Sequence, residues 1–402
     1  MVDLGMFVNS SPGTLVAIQG SDPLWGPWAH RAFVPLPLAD AAPDLTASTY
    51  LAVSNARAAL AALDATARQL PNPTLLRAAA LRREAQSTSA LEGTYAPLAQ
   101  VLTADEDEPA TPELVEIINY VRMADHGFGW VSDGRPMTVS FLSELQGVLM
   151  RGTLLAAQSG RLRDQQVVIG RRADADPAGP PIYAARFVPA PPGVDLKSGV
   201  RELVVWLQAD HHGEIDPVVA AAMSHYQFET LHPFRDGNGR VGRLLIVLAL
   251  LTSGVLSEPT LTVSPWFEAR RSEYHDRLLG VSTRGDWDAY VRFFADGLRE
   301  AADLTRVAMI ALVAVQAELK AIVRSSPLRA DSAHALVDLA IAHPTFTVRR
   351  VEADLRLSYG RANKLVSQLV DLGVLSVIDP DAYKRRFFAP RVLETLTRGG
   401  GA

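Results

Sequence analysis

The sequence predicts a mainly α-helical protein that carries one β-hairpin and ends in a winged helix-turn-helix. Three observations lead there. Apolar residues recur at helical spacing from Tyr50 to Val323. Runs of β type gather at Gln166–Gly170 and Ile182–Pro189. After a break at Ser325, Ser326 and Pro327 the order becomes helix, short helix, tight turn, helix and ribbon.

Composition bounds the function. The 402 residues are 48% apolar and 21% charged, as in ordinary globular proteins, and at about 150 residues per domain the length predicts two or three folding units. The absence of cysteine excludes disulfides, thiolate metal sites, thiol nucleophiles and iron–sulfur clusters. With 39 basic and 44 acidic residues the net charge is −5, so no global field draws in nucleic acid or an anionic membrane. The apolar runs Leu244–Leu251 and Val307–Val315 fall well short of the roughly 18 residues a spanning helix needs, so no membrane partner is expected. The first basic side chain is Arg31, which leaves the N-terminus without the basic region of a secretory signal, and a cytoplasmic location is expected.

From Met1 to about Ala47 the chain is rich in proline, with Trp25, Trp28 and Phe33, and is expected to lie on a surface as an irregular segment. Helices are predicted at Tyr50–Gln69 and Thr74–Glu92, then, past the acidic connector Asp105–Pro109, at Pro112–Met123 and near Val139–Gly152. The six prolines from Pro177 to Pro192 restrict the β-type region to a hairpin. Further helices are predicted at Gly199–Asp210 and at Asp216–Leu231, the latter opened by Asp216 at the N-cap and Pro217 at the first helical position. Leu244–Leu251, Pro265–Leu279, Asp286–Ala301 and Leu304–Val323 complete the helical region. In the C-terminal segment Tyr359–Asp371 is the expected recognition helix, presenting Arg361, Asn363, Lys364 and Gln368, with Lys384, Arg385 and Arg386 on the wing. These basic residues suit DNA phosphates, but acids nearly balance them, and protein contact is the alternative. The domains expected are 1–110, 111–325 and 330–395.

The segment with chemistry in it is His232–Arg243, HPFRDGNGRVGR, between two predicted helices. Asp236-Gly237-Asn238-Gly239 forms helix poorly, and its glycines let the backbone turn tightly and approach a ligand. A helix starting near Asn238 offers free N–H groups and a positive dipole end, an anion site. Arg240 and Arg243, three apart, project from one face of its first turn, and two guanidinium forks beside an anion hole suit a polyphosphate. Asp236 supplies a hard oxygen ligand for a magnesium ion shared with phosphates. His232 is placed to act as a general base near neutral pH. Pro233 and Phe234 are expected to anchor the loop.

At every defined position, His232, Phe234, Asp236, Gly237, Asn238, Gly239, Arg240 and Arg243, the segment resembles the Fic-family motif HxFx(D/E)GNGRxxR. The resemblance implies a Fic-type helical core with a β-hairpin flap and transfer of AMP from ATP to a hydroxyl of a target protein. It makes His232 the base that deprotonates the target hydroxyl and Asp236 the holder of Mg2+. Gly237, Asn238 and Gly239 would then cradle the phosphates, Arg240 the bridging and terminal phosphates, and Arg243 the γ-phosphate. The hairpin with Arg161, Arg163 and Val167–Gly170 resembles the family's flap, whose backbone edge would hold an extended target segment by strand addition. Arg270, Arg271 and Tyr274 lie where the family contacts adenine, with His275 in place of a frequent second tyrosine.

TSALEG, Thr88 to Gly93, resembles the family's inhibitory motif (S/T)xxxE(G/N). Glu92 falls at the end of a predicted helix, where the dipole disfavours an anion and a cation is wanted. The resemblance makes Arg243 that cation and blocks the γ-phosphate pose. The expected whole is an N-terminal helical inhibitory region with Thr88, Glu92 and Gly93, the core, and the winged helix-turn-helix, in a self-inhibited protein adenylyltransferase. A homodimer through the core is also implied. Removal of AMP by the same site, with Glu92 orienting a water, and a nucleotide-sensing DNA-binding regulator are the alternatives. Metal hydrolysis is a poorer rival: His211 and His212 are adjacent, and neither an HExxH helix nor a P-loop is present.

Overall fold

Helix follows helix through most of the chain, as the apolar spacing requires. The computed structural model describes residues 7, 12–41, 43–69, 74–105, 108–176, 178–211, 213–328, 331–382 and 384–398; His212 lies outside them. In chain order the elements are β1 (Gly13–Asp22), β2 (Gly26–Pro35), α1 (Ala47–Gln69), α2 (Thr74–Leu91), α3 (Leu98–Thr103), α4 (Pro112–Ser132), α5 (Val139–Leu149), β3 (Ile169–Arg171), α6 (Pro181–Ala184), β4 (Ala185–Phe187), α7 (Val194–Gln208), α8 (Pro217–Leu231), α9 (Asn238–Thr252), α10 (Ser264–Ala269), α11 (Arg271–Arg284), α12 (Trp287–Ser325), α13 (Asp331–Ala342), β5 (Phe346–Thr347), α14 (Val348–Asp354), α15 (Tyr359–Asp371), β6 (Ser376–Val377), β7 (Arg386–Phe388) and α16 (Pro390–Arg398). Among the described residues no helix is long and apolar enough to cross a membrane. The chain forms two units. One comprises Met1–Ala58, Arg122–Leu256 and Trp266–Arg299; the other comprises Ala59–Val121, Ser257–Pro265 and Glu300–Ala402.

The first unit is built round α8 and α9, which pack along each other. The Asp216 carboxylate accepts from Val218 N at 2.8 Å and Pro217 follows it, the cap the sequence predicts. Both helices are buried on nearly every face. Phe141, Leu142, Leu145 and Leu149 of α5 close one side. On another, the Tyr290 hydroxyl donates to Ala222 O at 3.0 Å and the Tyr226 ring meets Trp287 edge-on. An apolar core of this kind fixes the loop between α8 and α9.

Two expectations in this unit are corrected. The N-terminal segment is a regular antiparallel hairpin, with Gly13 opposite Pro35 and Asp22 opposite Gly26. Asp22 Oδ1 accepts from Leu24 N at 2.8 Å, and Gly26 takes φ 76, so Asp-Pro-Leu-Trp-Gly makes the turn. Alternate residues such as Val16, Ile18 and Trp28 turn inward and pack on Ala32, Ile182, Ala185 and Val188. The flap is narrower than its β-type runs: Ile169 pairs with Phe187 and Arg171 with Ala185. Consecutive Pro180 and Pro181 start one turn of helix, which removes Ile182–Ala184 from the strand. The two hairpins adjoin, since Phe33 N donates to Val188 O at 2.9 Å.

In the second unit α2 packs on α3 and α13. The buried Arg82 guanidinium donates to the carbonyls of Val101, Leu102 and Ala104 at 2.7, 3.2 and 3.2 Å, which satisfies the end of α3. The buried Glu84 carboxylate accepts from Ser264 N at 2.9 Å and from the Ser264 hydroxyl. The strands β5, β7 and β6 form a small antiparallel sheet in that order. On α15, Ala362, Leu365, Val366 and Leu369 are buried while Arg361 and Lys364 are exposed. Lys384 lies 3.6 Å from Asp105 Oδ2. The helix α12 runs from Trp287 to Ser325 without the expected break near Asp303, because neither glycine nor proline stands there to stop it.

Candidate active site

The helix α8 stops because His232 turns left-handed, with φ 48 and ψ 61. A side chain in that region is strained unless its surroundings hold it. His232 N still donates to Phe228 O at 3.0 Å, and its carbonyl accepts from Arg163 Nε at 2.8 Å. His232 Nδ1 lies 3.3 Å from Glu229 O, and a carbonyl only accepts. Nδ1 therefore carries a proton and donates to that carbonyl.

The loop closes on itself through Asn238. Its Oδ1 accepts from Phe234 N at 2.8 Å and its Nδ2 donates to Phe234 O at 2.9 Å. The Asn238 side chain is thus a staple, and an approaching anion meets main-chain groups there. Phe234 is buried, the anchor its chemistry suggests. Gly237 caps α9 at φ 81, and a Cβ there would stand 2.8 Å from Leu149 Cδ2. Only glycine suits both demands. The first N–H groups of α9 have no intrahelical acceptor, Val241 N being the first to donate back to Gly237 O, at 3.0 Å.

Arg240 and Arg243 follow on that first turn, and both are buried, Arg243 to 1% exposure. Arg240 Nη2 lies 3.4 Å from Asp236 Oδ1, and the Asp236 side chain is 46% exposed. Asp236 therefore stands at the open side of the loop with a buried cation behind it. Between the two arginines, Gly242 lets α8 and α9 approach: a Cβ would lie 2.1 Å from Glu229 Oε1. Its carbonyl is 3.0 Å from His225 Nδ1.

Tyr274 differs from expectation. It is 1% exposed, stacks on Phe267 with centroids 4.7 Å apart, and its hydroxyl is 2.7 Å from His225 Nε2. The ring is thus enclosed in the core here, beside the turn that bears Arg240 and Arg243. Arg271 nearby is exposed, and the Arg270 guanidinium lies over Trp266 at 4.4 Å. Burial drives the His225 pKa down to about 3 despite the Gly242 hydrogen bond, so the ring is neutral.

In the second unit, α2 ends at Leu91, one residue before the predicted limit. Thr88 is buried, Glu92 lies in the turn after the helix, and Gly93 takes φ 95. Gly93 N donates to Ala90 O and Thr94 N to Ser89 O, each at 3.0 Å, which closes the helix end round Glu92.

Two site residues escape a reading by motif. Gln146 on α5 donates to Asp236 O at 3.1 Å and accepts from Gly160 N at 2.6 Å. Its signal was a polar side chain inside the apolar stripe Leu142, Leu145, Leu149. Arg163 is the other, and nothing in the sequence separates it from Arg161, which is exposed.

These features define a helical core with a hairpin flap and an anion-receptive loop, and the comparisons agree. Residues 50–129 match the Fic/DOC family N-terminal model and residues 136–250 the Fic/DOC family model. Over these two spans, just under half of its length, the chain is similar to the Fic/DOC family. It is 35% identical over 123 residues to the protein adenylyltransferase Fic of Drosophila virilis, a stretch covering 31% of this chain and 24% of that protein. For the protein adenylyltransferase Fic of Drosophila melanogaster the identity is 34% over 123 residues, covering 31% and 23%. The chain thus spans under a quarter of the length of these curated relatives. A Fic family protein from Desulfovibrio desulfuricans G20 shares the fold, with a TM-score of 0.53 and 22% identity over 87% of this chain and 98% of that one. The β1–β2 hairpin precedes both family matches.

Proposed function

We propose that this chain is a self-inhibited protein adenylyltransferase that moves AMP from ATP to a Ser, Thr or Tyr hydroxyl of a target protein. One observation carries the reading: a single loop, residues 232–237, joins His232, whose Nδ1 is held by Glu229 O, to an anion-receptive helix start with Arg240 and Arg243 on it. The curated relatives named protein adenylyltransferase support it.

In this reading His232 Nε2 takes the proton of the target hydroxyl as its oxygen attacks the α-phosphorus. The new O–P bond forms, the bond from the α-phosphorus to the bridging oxygen breaks, and pyrophosphate leaves with the electron pair. Main-chain N–H groups of α9 and the guanidinium of Arg240 neutralise the phosphate charge that develops. Asp236 fits a magnesium ion. Among the described residues no cluster of three acidic or histidine ligands exists, and one half-exposed carboxylate suits a metal that otherwise keeps waters and substrate phosphates. Bound there, magnesium would supply charge neutralisation on the phosphates. The flap edge at Val167–Gly170, partly exposed, receives an extended target segment.

Glu92 is the brake in this reading, paired with Arg243 so that a γ-phosphate is excluded. The C-terminal region α13 to β7 is read as a winged helix, supported by its strand order and by Arg361 and Lys364 on the open face of α15.

The test is intact mass and label incorporation with magnesium and α-labelled ATP, for the wild type, Glu92→Gly and Glu92→Gly/His232→Ala. Label on Glu92→Gly alone, on itself or on added lysate proteins, is the expected result. Absence of label from all three overturns the transferase reading, and equal label on wild type and Glu92→Gly removes the brake.

A further inference from the structure

We infer that Arg163 is a positioning residue that ties the place of His232 to the roots of the flap. Its guanidinium Nε donates to His232 O at 2.8 Å and one terminal nitrogen reaches Leu231 O at 3.3 Å. The same nitrogen donates to Ala190 O, and the other to Gln165 O at 3.1 Å. Its own main-chain N–H donates to Pro233 O at 2.9 Å. Gln165 leads into β3 and Ala190 follows β4, so one side chain holds both legs of the flap and the residue proposed as base.

The chemistry of the contact explains the residue type. Leu231 and His232 supply the last carbonyls of α8, which lack intrahelical donors and form the negative end of the helix dipole. A planar fork of five donors spreads over four carbonyls, whereas a lysine directs its donors from a single point. Arg163 is 3% exposed, and all of its hydrogen bonds go to main-chain carbonyls. Desolvation lowers its pKa to about 10, which leaves it charged at neutral pH. Among the described residues no carboxylate pairs with it; a buried cation so placed is costly, and the carbonyls must stay in place to offset it. The left-handed backbone of His232 needs such a hold.

Gln146 offers an internal contrast. It ties the same loop at Asp236 to Gly160 and touches neither leg of the flap. Anything that shifts the legs, such as a segment docking on the edge, therefore reaches the loop at His232 through Arg163.

The test has two arms, of which only the kinetic one rests on the proposed transferase. Hydrogen exchange is measured on the full chain for the wild type, Arg163→Lys and Arg163→Leu. In Arg163→Lys, exchange is expected to rise about tenfold together in segments 165–171, 185–190 and 228–236, with the C-terminal residues 331–398 unchanged. A rise confined to the flap segments, or spread evenly through the chain, overturns the inference. Should Arg163→Leu not fold, Arg163→Lys decides alone. In the Glu92→Gly background, Arg163→Lys is expected to lower kcat at least about tenfold, with KM for ATP within about twofold, since a misplaced group costs rate rather than nucleotide affinity. An unchanged kcat overturns the inference. If Glu92→Gly itself takes no label, the transferase reading falls and hydrogen exchange decides the positioning role.

Discussion

His225 Nε2 lies 2.7 Å from the Tyr274 hydroxyl, with both side chains closed off from solvent. The other ring nitrogen meets Gly242 O, so the ring donates to that carbonyl and accepts from the phenol. A neutral imidazole thus joins α8, α9 and α11 at the turn that bears both motif arginines.

The depressed pKa of His225 makes the fold sensitive to acid. The folded value of about 3 lies below the ordinary 6.5, so the unfolded chain binds the extra proton between those values. The contribution is complete above about pH 6.5 and is lost as the pH falls toward 3, at about 1.4 kcal/mol per pH unit, or about 2 kcal/mol by pH 5. Urea unfolding at pH 7.5 and pH 5 is expected to show this loss in the wild type and a flatter dependence in His225→Phe. Parallel loss in both proteins would exclude His225 as its source.

Asn238 closes the loop with two hydrogen bonds, and Asn238→Ala leaves Phe234 N–H and C=O buried without them. We expect a loss of about 2 kcal/mol in stability. Asn238→Asp, which sets a carboxylate oxygen against the Phe234 carbonyl, is expected to cost as much or more. Melting with and without ATP and magnesium separates the two effects: both variants should also lose the nucleotide-induced rise in Tm.

Gly237 and Gly134 both have positive φ, 81 and 70, but only Gly237 faces a neighbour, Leu149 Cδ2. Gly134→Ala should show the strain alone, about 1 kcal/mol. Gly237→Ala should cost at least twice that, because Leu149 in a packed core has little room to yield. Equal costs, measured by chemical unfolding, would mean that the core does give way there.

Glu84 anchors α2 through Ser264. Removal of a buried carboxylate that accepts two hydrogen bonds should destabilise the chain by about 2–3 kcal/mol in Glu84→Ala. On the proposed reading of a self-inhibited transferase, AMP label in Glu84→Ala with Glu92 intact is expected to exceed that of the wild type. Faster exchange of α2 amides without any rise in label would show that the seating of this helix does not control the site.

Much of this was legible in the sequence where local chemistry decides the outcome. Asp216-Pro217 announced the start of α8, and the glycines of the motif announced the turn into α9. The reading failed where a pattern had two meanings. Proline and tryptophan before Ala47 suggested irregularity, yet β-branched Thr14, Val16 and Ile18 stand at alternate positions and Asp22 to Gly26 forms a turn. At Pro181 a β-rich run became a helical turn because proline had already fixed the backbone. Tyr274 sits at a position suited to ligand contact, and only the packing of Phe267 and His225 shows that it is enclosed. Arg163 was legible only as part of the flap hairpin; its tie to His232 was beyond reach, since its partners are carbonyls, which every residue has.

The N-terminal hairpin bears on how this protein can be dissected. Trp25 Nε1 donates to Ala178 O at 2.9 Å, Phe33 bonds Val188, and Val16, Ile18 and Trp28 cover Ile182, Ala185 and Val188. A fragment trimmed to the family-matched span 50–250 would strip this apolar backing from the flap and leave a sticky, slack ribbon at the place where a target is proposed to dock. Its weak binding and aggregation would then reflect the scissors rather than the intact chain, and a working fragment must begin upstream of Gly13.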